Sequence, residues 1–183
     1  MKRGRHAEAN HIWYFLADGD PTLGRGKIAE ALGFCYEARG MASAAAYWFG
    51  EAIRTGQRRV PYSLARRTTL EAQGHPFVQF TDINDEYRWL DDRMEKGEYR
   101  RAAARFYALM DGDHSLEAGC NAEKLAACYD AMGEVQPARY WYRRAVEENP
   151  ETHQHAMARR QILEAHNVDH LVNTTASGST SRS

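Results

Sequence analysis

One segment of this 183-residue chain is written twice. Residues 32–52 read LGFCYEARGMASAAAYWFGEA and residues 125–145 read LAACYDAMGEVQPARYWYRRA, so that nine of the 21 aligned positions are identical. The two copies lie 93 residues apart. Such internal recurrence is typical of proteins that stack one supersecondary unit, and it constrains the fold more than any other feature of the chain.

The repeated segment has the residue pattern of two antiparallel helices. Leu32 and Tyr36 lie four residues apart and therefore on one helical face. Gly40 ends this helix, because glycine readily adopts the left-handed conformation. Ala45 and Phe49 then begin a stripe of small and aromatic residues at helical spacing. The second copy repeats this order, so each copy predicts a helix pair.

The pattern resembles the tetratricopeptide repeat family, in which L-G-x2-Y, then A-x3-F, then P marks a helix-turn-helix unit of about 34 residues. Residues 26–59 and 119–152 match it, with Gln57 replacing the final proline in the first. Residues 83–116 are a degenerate copy, in which GEYRRAAARF keeps the spacing of glycine, alanine and aromatic. The Sel1-like repeat is an alternative, although its longer glycine loops are missing. The resemblance implies an all-α fold, a short α-solenoid of stacked antiparallel helix pairs.

The remaining segments are assigned around these three repeats. Residues 1–25 are expected to form an N-terminal helix, at about 6–17, and a loop, and residues 60–82 an extra helix and loop. Residues 153–170 have the polar outer face of the capping helix that repeat arrays require. Residues 171–183 are a low-complexity stretch, expected to be a disordered tail.

Composition argues against several classes of function. The net charge of −1 gives no overall attraction to nucleic acid, and no apolar run is long enough for a membrane span. The three cysteines have no close spacing, so they do not form a disulfide framework. This favours a reducing, cytoplasmic compartment. Cys35 and Cys128 hold equivalent positions in the two copies, which is typical of small packing residues.

No pattern of catalytic or ligand residues stands out. Gly19 and Gly24 give the outline of a phosphate-binding loop, but Arg25 and Gly26 stand where that loop needs a lysine and a hydroxyl. His153 and His155 lie two residues apart and His6 and His11 five apart, so neither pair places two imidazoles on one helical face. The expectation is a protein without enzymatic activity, metal or cofactor.

In the resembled family, the first helices of the pairs line a concave groove that receives a peptide or a helix. The resemblance places nine residues of this chain on that surface: Glu30, Phe34, Glu37, Tyr87, Asp91, Met94, Glu123, Ala127 and Asp130. Because five of them are carboxylates, an acidic peptide should be rejected, and a basic or amphipathic one with apolar anchors should fit. The expected function is that of a protein–protein interaction module: an adaptor, a chaperone or a scaffold subunit.

Alternatives remain open. In one, the groove acids pair with arginines of neighbouring helices, and the groove is empty or holds the chain's own N-terminal helix. In another, arginines on the convex side bind nucleic acid or an acidic partner; the candidates are Arg100, Arg101, Arg143 and Arg144. Homo-oligomers formed through exposed repeat ends are also compatible with the sequence.

Overall fold

The computed structural model describes residues 3–56, 61–75, 82–113 and 116–177. Within these ranges the chain forms nine α-helices and no strand, which confirms the all-α prediction. In chain order the helices are α1 (Arg3–Asp18), α2 (Lys27–Ala38), α3 (Ala42–Thr55), α4 (Pro61–Ala72), α5 (Ile83–Glu95), α6 (Tyr99–Met110), α7 (Cys120–Ala131), α8 (Val135–Glu148) and α9 (Gln154–Ser177).

The repeated segment forms the helix pairs α2–α3 and α7–α8, as its sequence predicts. Gly40 and Gly133 lie between the helices of each pair with φ of 71° and 73°, the left-handed conformation that glycine tolerates. The N–H of Met41 then donates to the carbonyl oxygen of Tyr36 at 2.9 Å, which satisfies one of the free carbonyls at the end of α2. Small residues beside the aromatic rings allow the two helices of each pair to approach closely.

The helices pack neighbour to neighbour, and the order of contacts repeats. Helix α1 packs on α2, α2 on α3 and α3 on α4, and helices α6 to α9 pack in the same order. Each half of the chain also reaches across to the other, because α1 packs against α8 and α6 packs against α3. Helix α5 packs against α6 and stands between the two halves in the sequence.

The 93-residue offset extends well beyond the repeated pair. It relates helices α1 to α4 with helices α6 to α9, one for one. The sequence carries the same relation: DGDPTLGRG at 18–26 and DGDHSLEAG at 111–119 share five residues, and so do RRTTLEA at 66–72 and RRQILEA at 159–165. The fold is therefore two four-helix units that exchange contacts about an approximate two-fold axis.

A left-handed turn leads into the second helix of each unit. Residues 23–26 and 116–119 all have φ between 50° and 89°, a conformation that costs non-glycine residues roughly 1–2 kcal/mol each. The last residue of each turn, Gly26 or Gly119, lies directly against the backbone of the third helix of its unit, α3 or α8. A Cβ atom on Gly26 or Gly119 would lie 2.7 or 2.6 Å from a carbonyl oxygen of α3 or α8, respectively.

Aromatic side chains fill the core between the two units. Eight buried aromatic residues form one connected set of ring contacts: Tyr14, Tyr36, Tyr47, Trp48, Tyr107, Tyr129, Tyr140 and Trp141. Their contacts obey the internal symmetry, since the Tyr14 and Tyr140 rings lie 5.3 Å apart and their counterparts Tyr107 and Tyr47 lie 5.4 Å apart. Both contacts join one unit to the other. The units therefore share one core.

The 93-residue offset groups several predicted segments differently from the three-repeat assignment. The degenerate repeat at 83–116 contains the pair α5–α6, but α6 is the counterpart of α1. The extra helix and the capping helix, α4 and α9, are counterparts of each other. Helix α9 continues to Ser177, past the start of the expected tail at 171. The stretches 76–81 of the predicted loop and 178–183 of the predicted tail lie outside the described residues.

Candidate binding surfaces

The predicted groove acids of α2 hold helix α4 in place. Glu30 accepts hydrogen bonds from the backbone N–H and the hydroxyl of Ser63 at 3.2 and 2.6 Å. Glu37 accepts two hydrogen bonds from the guanidinium of Arg66, one of them from Nε at 3.1 Å. Both partners belong to α4. These carboxylates therefore serve contacts within the unit.

The corresponding acids of α7 hold helix α9 in the same way. Glu123 lies 2.5 Å from Nδ1 of His153, a buried residue just before α9. Asp130 accepts two hydrogen bonds from the guanidinium of Arg159 at 2.5 and 2.9 Å. The pair Asp130–Arg159 is the counterpart of Glu37–Arg66 at the 93-residue offset. The two units thus use the same contact to fix their last helix.

The predicted groove residues of α5 are also engaged within the chain. Asp91 accepts a hydrogen bond from Nζ of Lys124 at 2.6 Å. The Tyr87 hydroxyl donates to Glu117 at 2.7 Å and is also hydrogen-bonded to Asn121 at 3.0 Å. The Tyr87 pKa is raised, chiefly because the ring is partly buried. Met94 is partly buried against the core.

The nine predicted groove residues are thus spread over the three helices α2, α5 and α7. Each of the five carboxylates among them has a partner within the chain. This arrangement agrees with the alternative in which the acids pair with neighbouring helices, although only Glu37 and Asp130 pair with arginines. Ala127 is half-buried on α7. Phe34 is the one of the nine with a large exposed apolar side chain: it is 41% exposed, and its ring lies 5.2 Å from that of Phe49.

Reversing the charge of Glu37 should loosen helix α4. In Glu37→Arg the new guanidinium faces Arg66, and we expect a loss of about 1 kcal/mol in the free energy of unfolding, because the pair is partly exposed. The double variant Glu37→Arg/Arg66→Glu should recover at least half of that loss. Urea denaturation of the four proteins of this cycle measures the coupling. Zero coupling would show that the pair does not hold α4.

The candidate arginines for an anionic partner do not form one stripe. Arg100 donates to the carbonyl of Arg39, and Arg101 donates to Glu98 at 2.6 Å. Arg101 lines a hollow of about 380 Å³ beside Trp89. Their acceptors lie at the end of α2, for Arg100, and just before α6, for Arg101.

The other two candidate arginines lie on α8 and line a different hollow, of about 240 Å³. Arg143 donates to Asp18 and to Glu147, at 2.6 Å each. Arg144 is paired with Glu147 and Glu148 at 3.4 and 3.5 Å. Since all four candidate arginines are paired and the two sets are separate, no observation favours an anion-binding face.

The hydroxyls of four buried tyrosines meet at the axis between the units. Tyr14 is hydrogen-bonded to Tyr36 and to Tyr107, each at 2.8 Å, and Tyr36 to Tyr129 at 2.6 Å. Nε1 of Trp141 lies 3.3 Å from the Tyr14 oxygen. Burial raises the pKa of all four tyrosines, so their phenols stay protonated at neutral pH. The four hydroxyls thus hydrogen-bond to one another, and the bonds Tyr14–Tyr107 and Tyr36–Tyr129 join the two units.

Two of the three cysteines are buried in the core. Cys35 and Cys128 are buried, as expected of packing residues, and burial raises the pKa of the Cys128 thiol to about 12. A thiol in this state is a poor nucleophile near neutral pH. The exposed Cys120 belongs to α7.

The largest feature that the sequence pattern did not predict is an apolar surface on α1. Ile12, Phe15 and Leu16 are 60%, 59% and 43% exposed, whereas Tyr14 and Ala17 on the opposite side are fully buried. The signal was present in the run IWYFL, which places apolar residues all around a helix although only one side can face the core.

Helix α1 packs against α2, which carries the exposed Phe34. We use the name α1–α2 face for the exposed apolar side chains of these two neighbouring helices: Ile12, Phe15 and Leu16 on α1 and Phe34 on α2. Exposed apolar side chains that form a patch are characteristic of interaction sites. Exposed apolar side chains also occur on α3 and α4, at Ile53, Tyr62 and Leu64.

Together, fold and surfaces define a class: an all-helical protein of packed helix pairs, with exposed apolar side chains on α1 and α2. In the part of the chain that the structure describes, no group of three or more His, Cys, Asp or Glu residues is placed to hold a metal ion. None of the described helices is both long and apolar enough to cross a membrane. Comparisons with family models, curated proteins and solved structures found no match to this chain.

Proposed function

We propose that this chain is a non-enzymatic helical-repeat protein that binds a partner polypeptide through the α1–α2 face. It would act as a cytoplasmic adaptor, chaperone or scaffold subunit. The observation that carries the proposal is the exposure of Ile12 and Phe15 on α1, at 60% and 59%. Exposing such side chains to water costs free energy that a bound apolar partner would recover, at about 25 cal/mol per Å² of buried surface.

A relation to tetratricopeptide repeats is part of this proposal. It is supported by the pairs α2–α3 and α7–α8, whose signature residues Leu32, Tyr36 and Phe49 are fully buried, as that family's packing requires. The contacts of α1 with α8 and of α6 with α3 close the array. The proposed binding surface therefore lies on the outer side of α1 and α2 instead of along a continuous acidic groove.

The chemistry of the face selects for an amphipathic partner. Its centre is apolar, and the charged side chains Glu8 and Arg5 lie one and two turns before Ile12, respectively, on the exposed side of α1. An interface with apolar anchors at its centre and charges at its rim gains affinity from the anchors and specificity from the charges. A wholly acidic or wholly basic peptide would lack the anchors.

Site-specific photocrosslinking of the intact protein in its native lysate tests the proposal. A benzophenone amino acid replaces Phe15 in one sample and Tyr62, which is 69% exposed on α4, in the other. We expect a discrete crosslinked partner from position 15 and none from position 62. Equal capture from both positions, or no product from position 15, would contradict the proposed function.

A further inference from the structure

We propose that the α1–α2 face binds an amphipathic helix of a partner protein, in the place and orientation that α5 takes on α6 and α7. This inference rests on the proposed function and names the partner's chemistry. Its basis is the internal symmetry: α6 and α7 are the counterparts of α1 and α2, and α5 packs on α6 and is hydrogen-bonded to Asn121 and Lys124 of α7. Among the described helices, α1 and α2 have no counterpart of α5.

Helix α5 packs antiparallel to α6. Near its start, the buried Glu86 accepts hydrogen bonds from the guanidinium of Arg105, one of them at 2.9 Å. Near its end, Arg93 pairs with Glu98 at 3.2 Å. The Trp89 ring between them lies 5.6 Å from the guanidinium carbon of Arg105. The pairing of the start of α5 with the end of α6 defines the orientation.

Helix α5 also reaches α7 through polar contacts. The Tyr87 hydroxyl lies 3.0 Å from the side-chain oxygen of Asn121, and Asp91 lies 2.6 Å from Nζ of Lys124. Leu90, between these contacts, is fully buried. A helix on this surface is therefore held by the fully buried Leu90, by the partly buried Tyr87, Trp89 and Met94, and by polar pairs on both sides.

At the 93-residue offset, the polar partners of α5 become apolar. The counterparts of Arg105, Asn121 and Lys124 are Ile12, Ile28 and Ala31, of which Ile28 is already buried. Ile12 is 60% exposed, whereas the Arg105 side chain under α5 is 33% exposed. A helix on the α1–α2 face therefore needs an apolar side chain where α5 has the buried Glu86, since a carboxylate buried there would lose its partner. It gains nothing from a carboxylate where α5 has Asp91, because Ala31 stands in place of Lys124.

The charged residues at the rim also have the opposite sign in the two units. Glu98 and Arg101 of α6 correspond to Arg5 and Glu8 of α1, and both of the latter are exposed. Because Arg93 of α5 pairs with Glu98, a helix in the same place on α1 needs an acidic residue facing Arg5. The expected partner is thus a helix with a wide apolar stripe and an acidic residue one turn beyond it.

A synthetic probe follows from these differences. It is a peptide of residues 82–97 with Glu86→Leu, Asp91→Leu and Arg93→Glu, and it carries a hydrocarbon staple between positions 88 and 92, whose side chains are 76% and 41% exposed in α5. The measurement is a titration of the intact, isotope-labelled protein, followed by amide chemical shifts. We expect the shifts to be confined to α1 and α2, and at least about tenfold tighter binding than with the stapled, unsubstituted peptide.

Variants of the protein separate this site from any other. Phe15→Glu should weaken probe binding by about tenfold or more, because it places a charge against the apolar stripe. The matched variant Tyr62→Glu, on α4, should leave binding unchanged. Arg5→Glu should weaken binding by about threefold, and a probe that keeps Arg93 should restore it. A melting curve for each variant checks that the fold is intact.

The inference would be overturned by the absence of probe binding, by binding that Phe15→Glu leaves unchanged, or by shifts on helices other than α1 and α2. Sedimentation showing a dimer that Phe15→Glu dissociates would also overturn it, because the occupant would be a second copy of the chain. If the probe fails while crosslinking from position 15 still captures a partner, only this inference falls. If that crosslinking fails too, the proposed function falls with it.

Discussion

Replacing Gly119 with alanine should destabilise the protein by about 3–4 kcal/mol, the combined cost of a left-handed alanine and a steric overlap. Gly119 has φ of 88°. A Cβ atom there would lie 2.6 Å from the carbonyl oxygen of Ala145 and 2.8 Å from Nε2 of His153, so both α8 and the segment before α9 would have to move. Urea or thermal unfolding of the variant measures the loss.

Gly133→Ala is the matched control. Gly133 also has positive φ, 73°, but a Cβ atom there would have no heavy atom within 4 Å. Its substitution should therefore cost only the left-handed conformation, about 1 kcal/mol. Equal losses for the two variants would show that Gly119 does not lie against α8. The left-handed turn would then not position the second helix of the unit.

Raising the pH above about 10 should unfold the protein in one steep transition. An exposed tyrosine titrates near pH 10, and burial raises the pKa of six tyrosines of the core. These are Tyr14, Tyr36, Tyr47, Tyr107, Tyr129 and Tyr140. Above pH 10 the unfolded chain releases these protons and the folded chain keeps them, so the unfolded state is favoured as pH rises.

The size of the effect follows from the number of buried phenols. Their stabilising contribution is fully present below about pH 10 and is lost as the pH rises above it, at up to about 1.4 kcal/mol per pH unit for each tyrosine. Six tyrosines together exceed a typical domain stability of about 5–15 kcal/mol within one to two pH units. Only four lysines titrate in the same range, so the tyrosines dominate.

Absorbance of tyrosinate at high pH, measured beside far-UV circular dichroism, tests this expectation. Most tyrosine absorbance should change together with the loss of helix. Tyr62→Phe removes an exposed phenol and should leave the midpoint unchanged. Tyr36→Phe removes a buried phenol and should make the pH dependence shallower by about one proton. Tyrosine titration near pH 10 with the helices intact would contradict the buried cluster.

Local residue patterns were sufficient to predict the helix pairs. Leu32, Tyr36 and Phe49 recur at helical spacing, and their burial is what an apolar stripe between two helices produces. Gly40 and Gly133 ended the first helices as predicted, because the left-handed conformation has a clear residue preference. All-helical architecture follows from such local signals, each confined to a few turns of chain.

The four-helix period was harder to see, since it rests on scattered positions. The matches DGD-x2-L-x2-G and RR-x2-LEA flank the strong segment on both sides, but α1 and α6 share only three residues: Ala9, Tyr14 and Leu16 recur as Ala102, Tyr107 and Leu109. Residues that face the shared core kept their identity, whereas outward residues such as Ile12 and Arg105 diverged. The contacts of α1 with α8 and of α6 with α3 join helices far apart in sequence, which no local pattern specifies.

The candidate binding surface shows the same limit. The resemblance to a repeat family placed nine residues in a groove, but which neighbour covers each helix depends on packing across the chain. Glu37 and Asp130 face α4 and α9, helices that the sequence pattern did not place against them. Phe34 is exposed on α2, and Phe15 is exposed on α1, which packs against α2 through contacts that the sequence pattern did not predict.

The equivalence of α1 and α2 with α6 and α7 depends most on the exchange of contacts between the two units. Nuclear Overhauser effects between aromatic rings test it directly. We expect cross-peaks between Tyr14 and Tyr140 and, equally, between Tyr107 and Tyr47, whose ring centres lie 5.3 and 5.4 Å apart. Cross-peaks confined to pairs within one half of the chain, such as Tyr47 with Trp48, would contradict it.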